Sequence, residues 1–399
     1  MPLVARAAFV ALAASLAAGA EDAEECLPDE ARALDVSLLQ GRSLLSRRFD
    51  ESPSNGLLAS KRACRDSGDG FVQCFPDIML VGTAKGGTTS ISAALTHHPR
   101  VDLQRAACEE EVLLGAKHLC DEAHLLDRHP APGELLKMEY EQWASSPRIS
   151  AGRAKESLLL HYSADYMYFP DIPYRILDLY PNARNIKYIF MVRDPTKRAV
   201  SSWKYHLQTS SENRTFATVV RQGMRQRRNL EACYESALRG MNTTAKHVED
   251  LPELSEQRKL IDRCFWNVPG THDASLQKGK NPVKHAHVDY GIYAEQLRRW
   301  FRVLGRENCI VFSLEELAAN ETGIAMEIMN FTGLQAVGPH AYKDLTSLRA
   351  VMMHNSNGGG GVYVREKPPT PKAALLDRLD RFYRPYNEEL FELIGRKLY

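Results

Sequence analysis

Four short apolar runs mark the chain: Ile78–Val81, Leu158–Tyr162, Ile186–Val192 and Cys309–Phe312. Runs of this length, bounded by turn-forming residues, predict buried core strands. Between them lie amphipathic helical patterns, notably Thr196–Leu207, Tyr293–Leu304 and Ala373–Leu398. A further helix is predicted from Thr88, where Ile91, Ala94 and Leu95 recur at helical spacing until Pro99 closes the segment. Strands alternating with helices predict an α/β fold of three layers, a mostly parallel sheet covered by helices on both faces. In such sheets ligands sit beyond the carboxyl ends of the strands.

The stretch from Phe75 to Pro99 carries the clearest chemistry. A strand ends at Val81, a small loop runs from Gly82 to Gly87, and a helix begins at Thr88. Loop N–H groups and the unpaired N–H groups of a helix start converge there, and the helix dipole favours an anion. Gly86 and Gly87 allow close backbone approach. Thr88, Thr89 and Ser90 add hydroxyls, and Lys85 adds a full charge. Each charge-assisted hydrogen bond contributes roughly 1.5–3 kcal/mol, so several of them hold a phosphate firmly. A nucleotide-hydrolysing loop would read G-x-x-x-x-G-K-[ST]. Gly82 and Gly87 have that separation, but Thr88 stands at the lysine position and the lysine lies earlier, at Lys85. A chance glycine turn is the plain alternative.

A second strand-to-helix turn follows the run Ile186–Val192. Arg193 stands at the carboxyl end of the strand, Pro195 suits the first helical turn, and Ser201 comes about two turns on. A guanidinium fork and a hydroxyl so placed suit a phosphate monoester. The alternative is that Arg193 pairs with Asp194 or a surface acid.

With 399 residues, 44% hydrophobic and 25% charged, the chain has an ordinary globular composition. A formal net charge of +1 points to no polyanionic partner such as nucleic acid, so any basic site must be local. Residues 1–20 read as a targeting segment: Arg6, an alanine- and leucine-rich core, and Ala18-Gly19-Ala20 as a cleavage site. The apolar run falls short of the roughly 20 residues that span a bilayer. A cleaved signal peptide is expected, with a short signal anchor as the alternative and membrane attachment only in that case. Residues 21–70 read as a loosely ordered stem, and 71–399 as a single catalytic domain.

Eight cysteines suit the oxidising secretory pathway. The locally plausible pairs are Cys64/Cys74, Cys108/Cys120 and Cys233/Cys264, while Cys309 is expected as a buried free thiol. N-x-[ST] sites occur at Asn213, Asn242, Asn320 and Asn330, the last in an apolar stretch where burial is expected. No His/Cys cluster has zinc spacing, and no metal is expected.

Lys85-Gly86-Gly87-Thr88-Thr89 after a strand resembles the 5′-phosphosulfate loop of sulfotransferases that use 3′-phosphoadenosine 5′-phosphosulfate (PAPS). Arg193-Asp194-Pro195, with Arg198 and Ser201 at the spacing R-D-P-x-x-R-x-x-S, resembles their 3′-phosphate motif. Further likeness covers most of 75–399. Ser163-Ala164-Asp165-Tyr166 looks like an S-x-x-Y element, and Tyr290-Gly291-Ile292-Tyr293 with Leu297 and Trp300 like a G-x-Y…L…W segment. Ile310 to Leu317 looks like the strand and acidic turn that follow, and Phe382 to Asn387 like an F-Y-x-P-x-N helix. These elements resemble the Golgi carbohydrate branch, of the heparan and chondroitin type.

The resemblance implies PAPS as co-substrate and a glycan or proteoglycan acceptor in the Golgi lumen, or outside the cell if the chain is secreted. It also implies roles for single residues. Lys85, with Gly86, Gly87, Thr88, Thr89 and Ser90, would hold the 5′-phosphosulfate, and Arg193 with Ser201 the 3′-phosphate. Glu110 or Glu111 would be the base. Here the family's Phe-Phe pair is replaced by Val112-Leu113, so the register between the two glutamates is open. A K-G-R-x-x-P loop of the family fits Val364–Pro369 only with a one-residue slip, which gives Arg365 and Lys367 to the donor. The basic stretch 213–288, with Arg221, Arg225, Arg227, Arg228, Lys278, Lys280 and Lys284, is either an acceptor groove for an acidic glycan or a solvated face. Two other readings remain: a catalytically silent glycan-binding protein on the same fold, and a P-loop nucleotide kinase-like enzyme.

Overall fold

The computed structural model describes residues 63–104, 126, 146–209, 212–241, 243–266, 286–334 and 368–399. Eight strands lie among them: β1 (Cys64–Gly68), β2 (Phe71–Cys74), β3 (Ile78–Gly82), β4 (Val101–Gln104), β5 (Ile149–Ser150), β6 (Leu158–Tyr162), β7 (Lys187–Val192) and β8 (Cys309–Ser313). The main sheet has the order β4-β6-β3-β7-β8, with every pairing parallel. β1, β2 and β5 form a separate antiparallel sheet, whose β1–β2 hairpin is closed by the Cys64–Cys74 disulfide.

All five residues of β3 are buried, and their side chains alternate between two cores. Met79 and Val81 join Tyr188, Phe190 and Val311 against the helices Ile172–Leu179 and Tyr293–Leu304. Ile78 and Leu80 join Leu160, Ile189 and Phe312 against Ile91 and Leu95 on one helix and Ile324 and Ile328 on another. Both faces of the sheet are therefore covered, as the alternating pattern predicts. A third cluster, with Trp203, Phe216, Val220, Val288 and Tyr383, packs the helix Pro195–Gln208 against Phe216–Gly240 and the C-terminal helix Ala373–Ile394.

The four apolar runs are all strands, Leu158–Tyr162 with the expected bounds and the other three extended or trimmed by a residue. The 25-residue helix Phe216–Gly240 carries no clean apolar stripe, because Arg227 points into its buried face. There Arg227 meets Glu231 at 2.9 Å, Glu295 at 2.5 Å and Asp289 at 3.6 Å. Arg227 thus belongs to an internal ion-pair network, not to a groove. Arg221, Arg225 and Arg228 are exposed on the opposite face, and Lys278, Lys280 and Lys284 lie outside the described residues.

Cys233–Cys264 forms and Cys309 is a buried free thiol, whereas Cys108 and Cys120 lie outside the described residues. Asn330 is exposed on the helix Glu321–Thr332, contrary to the expectation from its apolar neighbours, which turn the other way into the core. Asn213 is also exposed, and Asn320 caps that helix by accepting from the Gly323 N–H. Among the described residues no helix is long and apolar enough to cross a membrane.

Candidate active site

The chain leaves β3, the middle strand, and reverses at once. The Thr83 N–H donates to the Met191 carbonyl of β7 at 2.6 Å, and the Gly86 N–H donates back to the Thr83 carbonyl at 2.8 Å. Gly86 is pressed so closely on β7 that a Cβ there would lie 2.4 Å from the Met191 carbonyl oxygen. Lys85 and Gly87 both have left-handed backbone, with φ of 66° and 101°. For Gly87 this conformation is free, whereas for Lys85 it costs about 1–3 kcal/mol and is held by the surrounding loop. Strain of that kind concentrates where a ligand is gripped.

Gly87 is also the residue before the helix Thr88–His97. That helix start has no side-chain cap and no acid in its first turn. Its first N–H groups and positive dipole end therefore face the loop, and among the described residues no side chain caps them. Thr88 and Ser90 are buried and Thr89 is exposed. The Tyr162 hydroxyl, at the end of β6, lies 3.2 Å from the Thr88 hydroxyl and 3.5 Å from that of Thr89. Tyr162 thus orients both threonines.

Arg193 follows β7, the strand beside β3. It comes two residues after Met191, and Lys85 comes two after Thr83, the residue bonded to Met191. The two turns therefore leave the carboxyl ends of neighbouring strands, which lie about 5 Å apart in the sheet. Arg193 does not pair with Asp194. The Asp194 carboxylate instead caps the next helix, accepting from the Lys197 N–H at 2.8 Å. Arg193 Nε is buried with no hydrogen-bond partner, and its carbonyl is fixed by the Tyr293 hydroxyl at 2.9 Å.

Along the helix after Arg193, Arg198, Ser201, Ser202 and Tyr205 fall at i, i+3, i+4 and i+7, on one face. The Lys85 ammonium lies 4.2 Å from the centre of the Tyr205 ring, which joins the two turns through a cation–π contact. Ser202 bonds His287 Nδ1 at 2.9 Å, and His287 Nε2 meets Glu212 at 3.2 Å. Burial holds the His287 imidazole below its ordinary value, against the opposing pull of the Glu212 carboxylate. Ser201 is half-buried. Further buried hydroxyls without partners, Ser163 Oγ and Thr196 Oγ1, follow β6 and β7 at this same edge.

The structure thus brings together Lys85, Gly86, Gly87, Thr88, Thr89 and Ser90 with the turn of Arg193 and Ser201. Glu110, Glu111, Arg365 and Lys367 lie outside the described residues. Sequence reasoning missed Tyr162, Tyr205 and the Ser202–His287–Glu212 chain. Tyr162 ends a recognised strand, but nothing in the sequence marks its reach to Thr88.

In this α/β fold a glycine cradle at a helix start stands beside a guanidinium turn on the next strand, an arrangement that suits an anion with two phosphate-like ends. Residues 75–255 match the family model of the sulfotransferase domain. It is 23% identical over 333 residues to human heparan sulfate glucosamine 3-O-sulfotransferase 6, covering 81% of this chain and 72% of that protein. It is 19% identical over 357 residues to the membrane-associated sulfotransferase kil1 of Dictyostelium discoideum, covering 82% and 67%. It is 22% identical over 353 residues to human carbohydrate sulfotransferase 15, covering 81% and 54%. A solved sulfotransferase from Alicyclobacillus acidocaldarius superposes with a TM-score of 0.45 at 19% identity, covering 81% of this chain and 97% of the other.

Proposed function

We propose that the protein is a PAPS-dependent carbohydrate sulfotransferase of the secretory pathway, acting in the Golgi lumen on a glycan or proteoglycan hydroxyl or amino group. The observation that carries the reading is Arg193. Its Nε is buried and unpartnered, and it stands one strand from an uncapped helix start already ringed by Gly86, Gly87 and Lys85. The sulfotransferase relatives, most of them named for carbohydrate acceptors, support the same class.

PAPS supplies the sulfuryl group and leaves as adenosine 3′,5′-bisphosphate. The loop N–H groups with Thr88 and Thr89 hold its 5′-phosphate, and Ser90 closes the first turn beneath them. Lys85 neutralises charge that builds on the bridging oxygen, the step that most needs electrostatic help. Arg193 and Ser201 hold the 3′-phosphate and so fix the donor's register. Glu110 or Glu111 takes the proton of the acceptor, and Arg365 and Lys367 add charge over the donor.

Transfer of labelled sulfate from PAPS across a panel of glycans, with linkage analysis of the product, tests this reading. Labelled product on one glycan class is expected. Donor binding without transfer to any glycan would instead favour a silent glycan-binding protein, and turnover of ATP a kinase-like enzyme.

A further inference from the structure

The helix Phe216–Gly240 carries five arginines and no lysine. Two of the five have acids: Arg227 is held in the core by Glu231, Glu295 and Asp289, and Arg239 lies 3.6 Å from Glu235. The other three, Arg221, Arg225 and Arg228, are exposed, and among the described residues none of them makes an ion pair. Spaced i, i+4 and i+7, they fall within about 60° of arc along roughly 10 Å of helix. From Phe216 to Leu230 the helix has no acid to offset them, although the whole chain holds 50 acids against 51 lysines and arginines.

Like charges at i, i+3 and i+4 oppose a helix, and a face that serves only solubility interleaves both signs. The packing of this helix gains nothing from the three arginines, since it runs through Phe216, Val219 and Val220 on the other side, against Trp203. Guanidinium forks in a row match sulfates and carboxylates in a row, each fork taking two oxygens of one anion. We propose that the outer face of the helix Phe216–Gly240 is a docking surface for a sulfated, carboxylated glycan chain, held by Arg221, Arg225 and Arg228 apart from the Lys85 loop and the Arg193 turn. The inference rests on the glycan reading for the identity of the partner. A polymer anchored there offers its further units to the transfer site at a raised effective concentration, which a short oligosaccharide cannot exploit. Each transfer also adds an anion to the chain, so the surface holds a modified chain more tightly than an unmodified one, and salt weakens both.

The test compares wild type with the triple variant Arg221→Gln, Arg225→Gln, Arg228→Gln, by calorimetric titration with heparin and by sulfate transfer to a long and a short acceptor of the same glycan. Glutamine suits a helix about as well as arginine, so the variant is expected to melt at or above the wild-type temperature. It is expected to bind heparin on the order of tenfold more weakly, the worth of three exposed charge contacts, and with a shallower dependence on salt. The KM for the long acceptor rises, while transfer to the short one and the affinity for adenosine 3′,5′-bisphosphate stay at wild-type values. Unchanged heparin affinity would overturn the proposal and leave the stripe a solvated face. An equal loss with the short acceptor would also overturn it, by placing the arginines in the transfer site itself. Binding to phosphatidylserine vesicles but not to heparin would assign the face to a membrane instead. If wild type transferred no sulfate to any glycan, the proposed function would fail, and the heparin titration would still decide whether the surface exists.

Discussion

Gly86→Ala is the sharpest test of how the loop is built. A Cβ at this position would lie 2.4 Å from the Met191 carbonyl oxygen, 2.8 Å from that of Thr83 and 2.9 Å from the Thr83 methyl. A carbon approaches a carbonyl oxygen no closer than about 3.3 Å, so one partner must retreat by roughly 1 Å. Met191 cannot retreat. It lies within the parallel sheet and already accepts from the Thr83 N–H at 2.6 Å. The loop therefore moves, at a cost of about 1–3 kcal/mol of stability from overpacking. Misplacement of a binding element by 1 Å costs on the order of a hundredfold in function. Urea denaturation measures the first effect, and bisphosphate calorimetry with sulfate-transfer rates measures the second. Gly152→Ala is the control, because a Cβ there meets nothing within 4 Å on the short helix Ala151–Glu156. It is expected to stabilise by roughly 0.5–1 kcal/mol and to leave binding alone. If Gly86→Ala bound the bisphosphate as wild type does, the loop would not be the cradle described.

Lys85→Ala is expected to cut turnover by roughly two to three orders of magnitude, as loss of a fixed charge at a reacting oxygen does; retained sulfate transfer in a folded variant would remove Lys85 from the reaction. Asp289 gives a pH signature. Burial pushes its carboxyl up to about 6, against the opposing pull of Arg227. The folded state then keeps a proton that the unfolded chain releases near pH 4, so the contribution of Asp289 is fully present below pH 4 and is lost as pH rises to about 6. Asp289→Asn is expected to gain up to about 3 kcal/mol relative to wild type between pH 4 and pH 7, read from denaturation curves at both. An equal difference at the two pH values would contradict the assignment.

The strands of the main sheet were largely legible because burial on both faces makes them continuous apolar runs, as in Ile78–Val81 and Leu158–Tyr162. β4 was not, since Val101–Gln104 interleaves Asp102 and Gln104 with its apolar residues. β1 escaped notice because Cys64–Gly68 is polar and exposed, its place set by pairing with β2 and by a disulfide. The loop at Lys85 and the turn at Arg193 could be read because their geometry is local: glycine, helix start, strand end. The hydrogen bonds of Arg198 could not. They reach Ala84, 114 residues earlier, and His287, 89 residues later, contacts that only the folded chain creates. The ion pairs of Arg227 were hidden in the same way, among acids reached across two helices.

The central claim is that the Lys85 loop and the Arg193 turn grip opposite ends of one adenosine bisphosphate. It is tested most directly by titrating wild type and Arg193→Ala with two ligands, adenosine 3′,5′-bisphosphate and adenosine 5′-phosphate. Arg193→Ala should weaken the bisphosphate by on the order of ten- to a hundredfold and leave the ligand lacking a 3′-phosphate unchanged. Equal loss for both ligands, or none for either, would contradict the account.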